Sequence, residues 1–217
     1  CGDLFLQPTL LREAENALSF LLHKTAGLDT VILVGLPVAD GAALYNCAAV
    51  MQRGCLLGLV PKMHIPTYSE FYEGRHFTAG DSVPRAFTFA GQQTMLGAAQ
   101  IFACREMPAF RLGVEICEDL WVSEQPSQKL VAAGATVIAN LSASDESIGK
   151  GTYRRQLVSM QSARLSCAYV YADAGEGEST TDLIFSGHNL IGENGVILAE
   201  SKRFTVGSVS ADVDLER

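Results

Sequence analysis

The sequence is short of charge. Asp, Glu, Lys and Arg make up 18% of its 217 residues, against roughly a quarter in ordinary soluble chains. With 48% apolar residues and a mean hydropathy of +0.18, disorder is excluded. Part of the surface is then expected to be covered by a further domain or by partner subunits. The charge present leans acidic, 16 Lys and Arg against 24 Asp and Glu, or −8. No run of Lys or Arg occurs, so the basic footprint of a nucleic-acid binder is missing. No apolar stretch reaches the 18 or so residues of a membrane span. Among six scattered cysteines, Cys1, Cys47, Cys55, Cys104, Cys117 and Cys167, there is no CxxC pair and no metal-ligand spacing. A disulfide scaffold is therefore excluded, and no metal site is expected. Most of these thiols lie in apolar stretches, as small hydrophobes do, and a reducing cytoplasm is the simplest reading. The opening Cys1-Gly2-Asp3 has no initiator Met and no leader pattern. It reads as an internal segment of something longer, in the upper size range of one domain.

The patterns that are present describe an α/β chain. Pro8 opens a helical stretch with Leu10, Ala14, Leu18 and Leu21/Leu22 on one face, ending near Gly27. A β-branched run from Thr30 to Leu36 predicts a strand closed by Pro37. Ala43–Met51 and Cys55–Val60, joined at Arg53-Gly54, predict an antiparallel hairpin. Further strands are expected at Ala86–Phe89, Gln100–Cys104, Arg111–Cys117, Thr136–Leu141, Ala168–Ala172, Leu183–Ser186, Val196–Glu200 and Thr205–Val213. Helices are expected over Ser127–Ala133 and Tyr153–Ser166. Strands and helices in this order predict layers around a mixed sheet. No internal repeat or linker is visible.

Two places carry chemistry. Pro61 to Pro84 is longer than the roughly 12–15 residues usual for a structureless connection, and it holds Tyr68, Phe71, Tyr72 and Phe77 with mixed charges. The apolar strand Leu112-Gly113-Val114-Glu115-Ile116 runs into Cys117 and stops at Glu118-Asp119. A strand end is where a nucleophile meets a cleft while the sheet holds it still; a buried structural cysteine is the alternative. Glu115, Glu118 and Asp119 would raise a thiol pKa, so a reactive Cys117 needs a cation or base nearby. Lys62, at the end of another strand, is a candidate cation. His64, His76 and His188 are not singled out by spacing.

Val60-Pro61-Lys62 together with Gly113-Val114-Glu115-Ile116-Cys117-Glu118-Asp119-Leu120-Trp121 resembles the carbon–nitrogen hydrolase (nitrilase) superfamily. More narrowly, the chain is similar to the glutaminase domains of glutamine-dependent NAD synthetases. Cys1-Gly2-Asp3-Leu4-Phe5, the loop from Leu59 to Phe77, Asn140-Leu141-Ser142-Ala143-Ser144 and Gly177-Glu178-Ser179-Thr180-Thr181-Asp182-Leu183 fit as well. The likeness covers nearly the whole chain, with several motifs in order.

The resemblance implies a four-layer αββα sandwich, here without its N-terminal strand and helix, and one glutamine-hydrolysing domain over residues 1–217. It makes Cys117 the nucleophile on the glutamine amide, with a γ-glutamyl thioester as intermediate and ammonia as product. Lys62 and the backbone N–H after Cys117 would stabilise the oxyanion, and Glu73 would orient Lys62. Tyr68, Phe71, Glu118, Trp121 and Ser144 would line the glutamine pocket, Glu118 and Ser144 at its α-amino end. Each also has a plainer use: packing for Phe71, a core cap for Trp121, a turn residue for Ser144. The family's general base lies in a Pro-Glu-Leu-type motif upstream of Cys1, so turnover by the segment alone is expected to be impaired. No Ser-Gly-Gly-type loop appears, so ATP, Mg and deamido-NAD belong to a synthetase domain not encoded here. Glutamine, that synthetase domain and further copies of the chain are the expected partners. A nitrilase-family amidase acting on another small amide, or an inactive segment serving in assembly, are the alternatives.

Overall fold

A computed structural model describes residues 2–178 and 183–216. Cys1 and Ser179-Thr180-Thr181-Asp182, which belong to motifs noted above, lie outside the described residues. The chain divides into two compact units, Cys1–Gln100 and Ile101–Arg217.

In the first unit, helix α1 (Pro8–Lys24) lies on a five-stranded sheet. The strands are β1 (Ile32–Asp40), β2 (Ala43–Gln52), β3 (Cys55–Pro61), β4 (Arg85–Phe89) and β5 (Gln92–Leu96), in the order β1-β2-β3-β5-β4. Pro8 sits at the first helical position, where its missing N–H costs nothing. Leu18 and Leu22 of α1 pack with Leu36, Val38, Cys47, Ala49, Met51, Leu59 and Leu96. Arg53 and Gly54 both have positive φ, +49° and +77°, as a two-residue hairpin turn requires. β1 does not stop at Pro37 as expected. It continues to Asp40 with Pro37 opposite Asn46, because β1 is an edge strand and a proline without N–H is tolerated there.

In the second unit, six strands run in the order β11-β10-β9-β8-β7-β6. They are β6 (Phe102–Ala103), β7 (Arg111–Ile116), β8 (Val137–Ser142), β9 (Ala168–Asp173), β10 (Leu190–Glu193) and β11 (Val196–Glu200). β7, β8 and β9 are parallel, and the outer pairs are antiparallel. Helices α2 (Pro126–Ala132) and α3 (Lys150–Leu165) pack on this sheet. A Cβ on Gly113 would stand 2.9 Å from Ile138 Cδ1 and 3.1 Å from Leu130 Cδ1, so only glycine lets α2 come this close to β7. Leu120, Leu130, Ile138, Val158, Tyr169 and Leu190 form the core.

Two expected strands fail, and two observed strands went unexpected. Leu183–Ser186 is no strand and makes only one bridge, Phe185 to Asp145. Thr205–Val213 forms no strand. β5 and β10 were not anticipated. Among the described residues no helix is long and apolar enough to cross a membrane.

Candidate active site

In the first unit, β3 ends at Pro61 and delivers Lys62. Its backbone is fixed on both sides, the N–H donating to Asn46 O at 2.8 Å and the carbonyl accepting from Gly80 N–H at 2.9 Å. The Lys62 side chain is 1% exposed, and Nζ lies 2.8 Å from each carboxylate oxygen of Glu73. A buried ammonium stays charged only with such compensation. Glu73 opens a helical turn, Glu73–Arg75. Its N–H donates to Pro66 O, and its carbonyl accepts the N–H groups of His76 and Phe77 at 2.9 Å. The long loop is therefore built around the lysine and its carboxylate. In the same loop Tyr68 and Phe71 meet edge to face with ring centroids 5.9 Å apart; Tyr68 is exposed and Phe71 half-buried.

In the second unit, β7 ends at Ile116, one residue earlier than expected, and Cys117 begins a one-turn helix, Cys117–Leu120. Cys117 has φ +47°, a left-handed conformation that a non-glycine residue holds at a cost of about 1–3 kcal/mol. Backbone hydrogen bonds hold it there. Cys117 N–H donates to Asn140 Oδ1 at 2.9 Å, and Ile116 N–H donates to Asp119 Oδ2 at 3.0 Å. Trp121 N–H closes the turn on Glu118 O at 2.8 Å. The thiol is half-buried. The three acids around it take different places: Glu115 is buried in β7, Asp119 is buried and caps the turn, and Glu118 is half-buried. Trp121 lies 5.5 Å from the Tyr153 ring, with Lys150 Nζ 5.6 Å from the indole centroid. Lys150 also pairs with Asp145.

Ser144 follows β8 and is buried. Its N–H donates to Asp173 Oδ1 at 2.9 Å, and its Oγ accepts from Arg154 Nη2 at 3.2 Å. Arg154 is fully buried. It also donates to Glu146 Oε2 at 3.0 Å and Asp145 O at 2.9 Å, and contacts His188 Nδ1 at 3.0 Å. His188 Nε2 in turn meets Glu200 Oε1 at 2.8 Å. Burial pushes the Asp173 carboxyl up to about 7 even with Arg154 opposing it. Glu146 goes the other way: burial opposes its charge, but hydrogen bonds from Ser186, Arg154 and Arg203 bring it down to about 2. Tyr171, fully buried, has its phenol pushed up by burial, with Asp173 and Cys117 adding to the effect.

Three parallel neighbours, β7, β8 and β9, thus present Cys117, Ser144 and Asp173 at their carboxyl ends, where open α/β sheets place ligands. Sequence reasoning named Cys117 and Ser144 but missed Arg154, Asp173 and Lys150. The signal for Asp173 was a charge closing an apolar run, which a burial argument ties to a partner; Arg154, in a polar stretch beside Arg155, carried no such signal. No group of three or more His, Cys, Asp or Glu able to hold a metal occurs among the described residues.

The sequence and fold match known proteins. The family model described as carbon-nitrogen hydrolase matches residues 5–217. A glutamine-dependent NAD(+) synthetase of Mycobacterium tuberculosis is 48% identical over 217 residues, covering 99% of this chain and 32% of that protein. The crystal structure of a glutamine-dependent NAD(+) synthetase from Cytophaga hutchinsonii superposes with a TM-score of 0.79 at 29% identity, over 94% of this chain and 32% of that one. An amidase of the nitrilase superfamily from Nesterenkonia shares the fold, with a TM-score of 0.69 at 16% identity over 92% of this chain and 68% of its own. The chain therefore spans about a third of the length of the curated relatives it matches.

Proposed function

The chain belongs to the carbon–nitrogen hydrolase family, and on that footing we propose that it hydrolyses the side-chain amide of glutamine through a thioester on Cys117. The observation that carries this reading is the half-buried thiol at the end of β7, held in a left-handed turn by Asn140 and Asp119. The thiolate attacks the carboxamide carbon, and the carbonyl oxygen takes up the negative charge. The resemblance assigns stabilisation of that oxyanion to the Lys62 ammonium, which is paired with Glu73, and to the backbone N–H after Cys117. Donors placed in advance where charge develops are often the largest catalytic contribution. The tetrahedral intermediate expels ammonia as its nitrogen takes a proton, and water then releases glutamate from the thioester. The resemblance assigns the proton transfers to a glutamate upstream of residue 1. The resemblance assigns glutamine binding to Tyr68, Phe71, Glu118, Trp121 and Ser144, with Glu118 and Ser144 serving its α-amino end.

The ammonia is proposed to serve the amidation of deamido-NAD by a synthetase portion of the same protein, which is where ATP and magnesium would act. A cytoplasmic setting and an oligomer of the chain complete the proposal.

The test is made on the full-length protein. A glutamine-like alkylating agent is expected to label Cys117, and Cys117→Ala to abolish both labelling and ammonia release. Lys62→Met is expected to lower turnover by about 10²–10³-fold, as loss of an oxyanion donor does. Labelling at another cysteine overturns the assignment. Preference for simple aliphatic amides over glutamine would shift it to the amidase alternative.

A further inference from the structure

A line of buried polar groups crosses β7, β8 and β9 and ends on the thiol-bearing turn. Glu115 on β7 is 1% exposed. One carboxylate oxygen accepts the N–H of Ser127, at the start of α2, at 2.8 Å; the other accepts the Tyr169 hydroxyl. Tyr169, fully buried on β9, accepts in turn from Asn140 Nδ2 at 3.1 Å. The opposite end of the Asn140 amide, Oδ1, accepts two donors, Cys117 N–H at 2.9 Å and Ser142 Oγ at 2.7 Å.

The direction of each bond depends on the one before it. Glu115 has donors aimed at both of its oxygens, so as a carboxylate it takes them all. Tyr169 has a single hydroxyl proton, and giving it to Glu115 leaves only lone pairs toward Asn140. Asn140 must then present its NH₂ to Tyr169 and its carbonyl to Cys117. Were Tyr169 to donate to Asn140 instead, the amide would flip and set NH₂ against the Cys117 N–H, which unlike the Ser142 hydroxyl cannot turn to accept.

We propose that Asn140 is the positioning residue of the Cys117 turn, and that Glu115 acting through Tyr169 keeps its amide facing the right way. This rests on the assignment of Cys117 as nucleophile. It adds to that assignment a reason why a charged residue lies inside the apolar run of β7. It also accounts for a left-handed cysteine being held without a glycine.

Isosteric variants of the full-length protein separate polarity from packing. Glu115→Gln keeps the shape of the side chain but has only one acceptor. With its carbonyl toward Ser127 N–H, its NH₂ faces Tyr169, whose proton must then go to Asn140. This variant is expected to lose at least 10-fold in kcat for ammonia release, with the KM for glutamine within about 2-fold, the pattern of a group that acts on the transition state rather than on binding. Adding Tyr169→Phe removes the misdirected proton. The double variant Glu115→Gln/Tyr169→Phe is expected to recover several-fold over Glu115→Gln, although a second buried group has been altered. A packing role predicts the opposite order, the double variant at or below the worse single one, and that result overturns the inference, as does a Glu115→Gln variant of unchanged kcat. The rate of Cys117 alkylation by iodoacetamide, read by mass spectrometry, follows the same variants without glutamine. It is expected to fall in Glu115→Gln and recover in the double variant. If the unaltered protein releases no ammonia, the glutaminase reading fails and the alkylation rates alone decide the positioning role.

Discussion

Replacing Arg154 with Met keeps most of the side-chain volume and removes one buried charge with its donors. In the native protein the guanidinium donates to Glu146, Ser144 and the Asp145 carbonyl and contacts His188, and its Nε lies 3.8 Å from Asp173 Oδ2. Glu146 keeps Arg203 at 2.7 Å and the Ser186 hydroxyl at 2.7 Å, so it is not stranded. The Asp173 side chain is fully buried and has no comparable substitute. Removing one partner of a buried ionic group costs about 3–5 kcal/mol, a large part of the roughly 5–15 kcal/mol that holds a domain folded. Asp173 is raised to about 7 even with the cation present. Without Arg154 it rises further and binds a proton instead of standing as a bare charge. The loss should then be smaller at pH 6 than at pH 8.

Urea unfolding followed by the fluorescence of Trp121, the single tryptophan, reports on this unit. With a slope of about 2–3 kcal/mol/M, the midpoint at pH 8 is expected to fall by about 1–2 M. Arg154→Lys keeps the charge but loses the planar fork that serves several acceptors at once, and should fall between the two. A midpoint for Arg154→Met within about 0.3 M of the unaltered protein, with unchanged slope, would refute the view that this arginine neutralises the buried acids.

Gly80→Ala would place a Cβ 2.5 Å from Pro61 Cγ and 3.2 Å from the Lys62 carbonyl oxygen; it is expected to cost about 1–3 kcal/mol in urea unfolding and to lower turnover by moving Lys62. Gly27→Ala, with nothing within 4 Å, serves as the neutral control. Burial raises the Glu115 and Asp173 carboxyls to about 7, above their ordinary values of 4.5 and 3.8. Their stability contribution is therefore complete below about pH 4 and lost as pH rises through 7, so the fall in unfolding free energy from pH 5 to 8 should be shallower in Asp173→Asn than in the unaltered protein. Glu146, lowered from 4.5 to about 2, contributes above 4.5 and loses its contribution as pH falls toward 2, which Glu146→Gln should abolish.

The strands that could be read from sequence are those whose burial matches a simple pattern. β7 and β8 are largely buried on both faces and appear as mainly apolar runs, each broken by one polar residue, Glu115 and Asn140, as parallel central strands do. α1 shows its stripe because only one side is buried. β10 escaped because Gly192 interrupts it. That glycine sits where a Cβ would be 3.3 Å from Val158 Cγ1 and 3.4 Å from Ile197 Cδ1, so it marks close helix packing rather than a turn. The true turn, Asn194-Gly195 with φ of +47° and +89°, carried a strong hairpin signature that the expected Leu183–Ser186 strand obscured. α3 begins three residues earlier than its apolar pattern because its first turns bury Gly151 and Arg154 instead of hydrocarbon. For the site, the ends of apolar runs pointed to Cys117 and Lys62, whereas the pairing of Lys62 with Glu73 came from the family resemblance. The residues that hold Ser144 are separated from it by 10 and 29 positions, and no spacing rule reaches that far.

The acids left unexplained by net charge are explained by the backbone. Glu115, Asp119 and Asp173 are all buried or nearly so, and each accepts a main-chain N–H: from Ser127, Ile116 and Ser144 respectively. Asn140 does the same for Cys117. These four amides lie where β7 and β8 give way to turns, and at the first turn of α2, where the sheet no longer supplies carbonyl partners and a buried N–H must find another acceptor. A side-chain oxygen can fill that need at any angle, so it permits a turn that a regular ladder would not. The cost is a buried carboxyl, visible as the raised values of Glu115 and Asp173. An apolar edge would be more stable in isolation, but it would leave Cys117 and Ser144 free to relax out of the conformations in which they are held. The same polar groups that lower the stability of this edge at neutral pH therefore make its geometry definite, and the variants that relieve the burial are the ones expected to loosen the site.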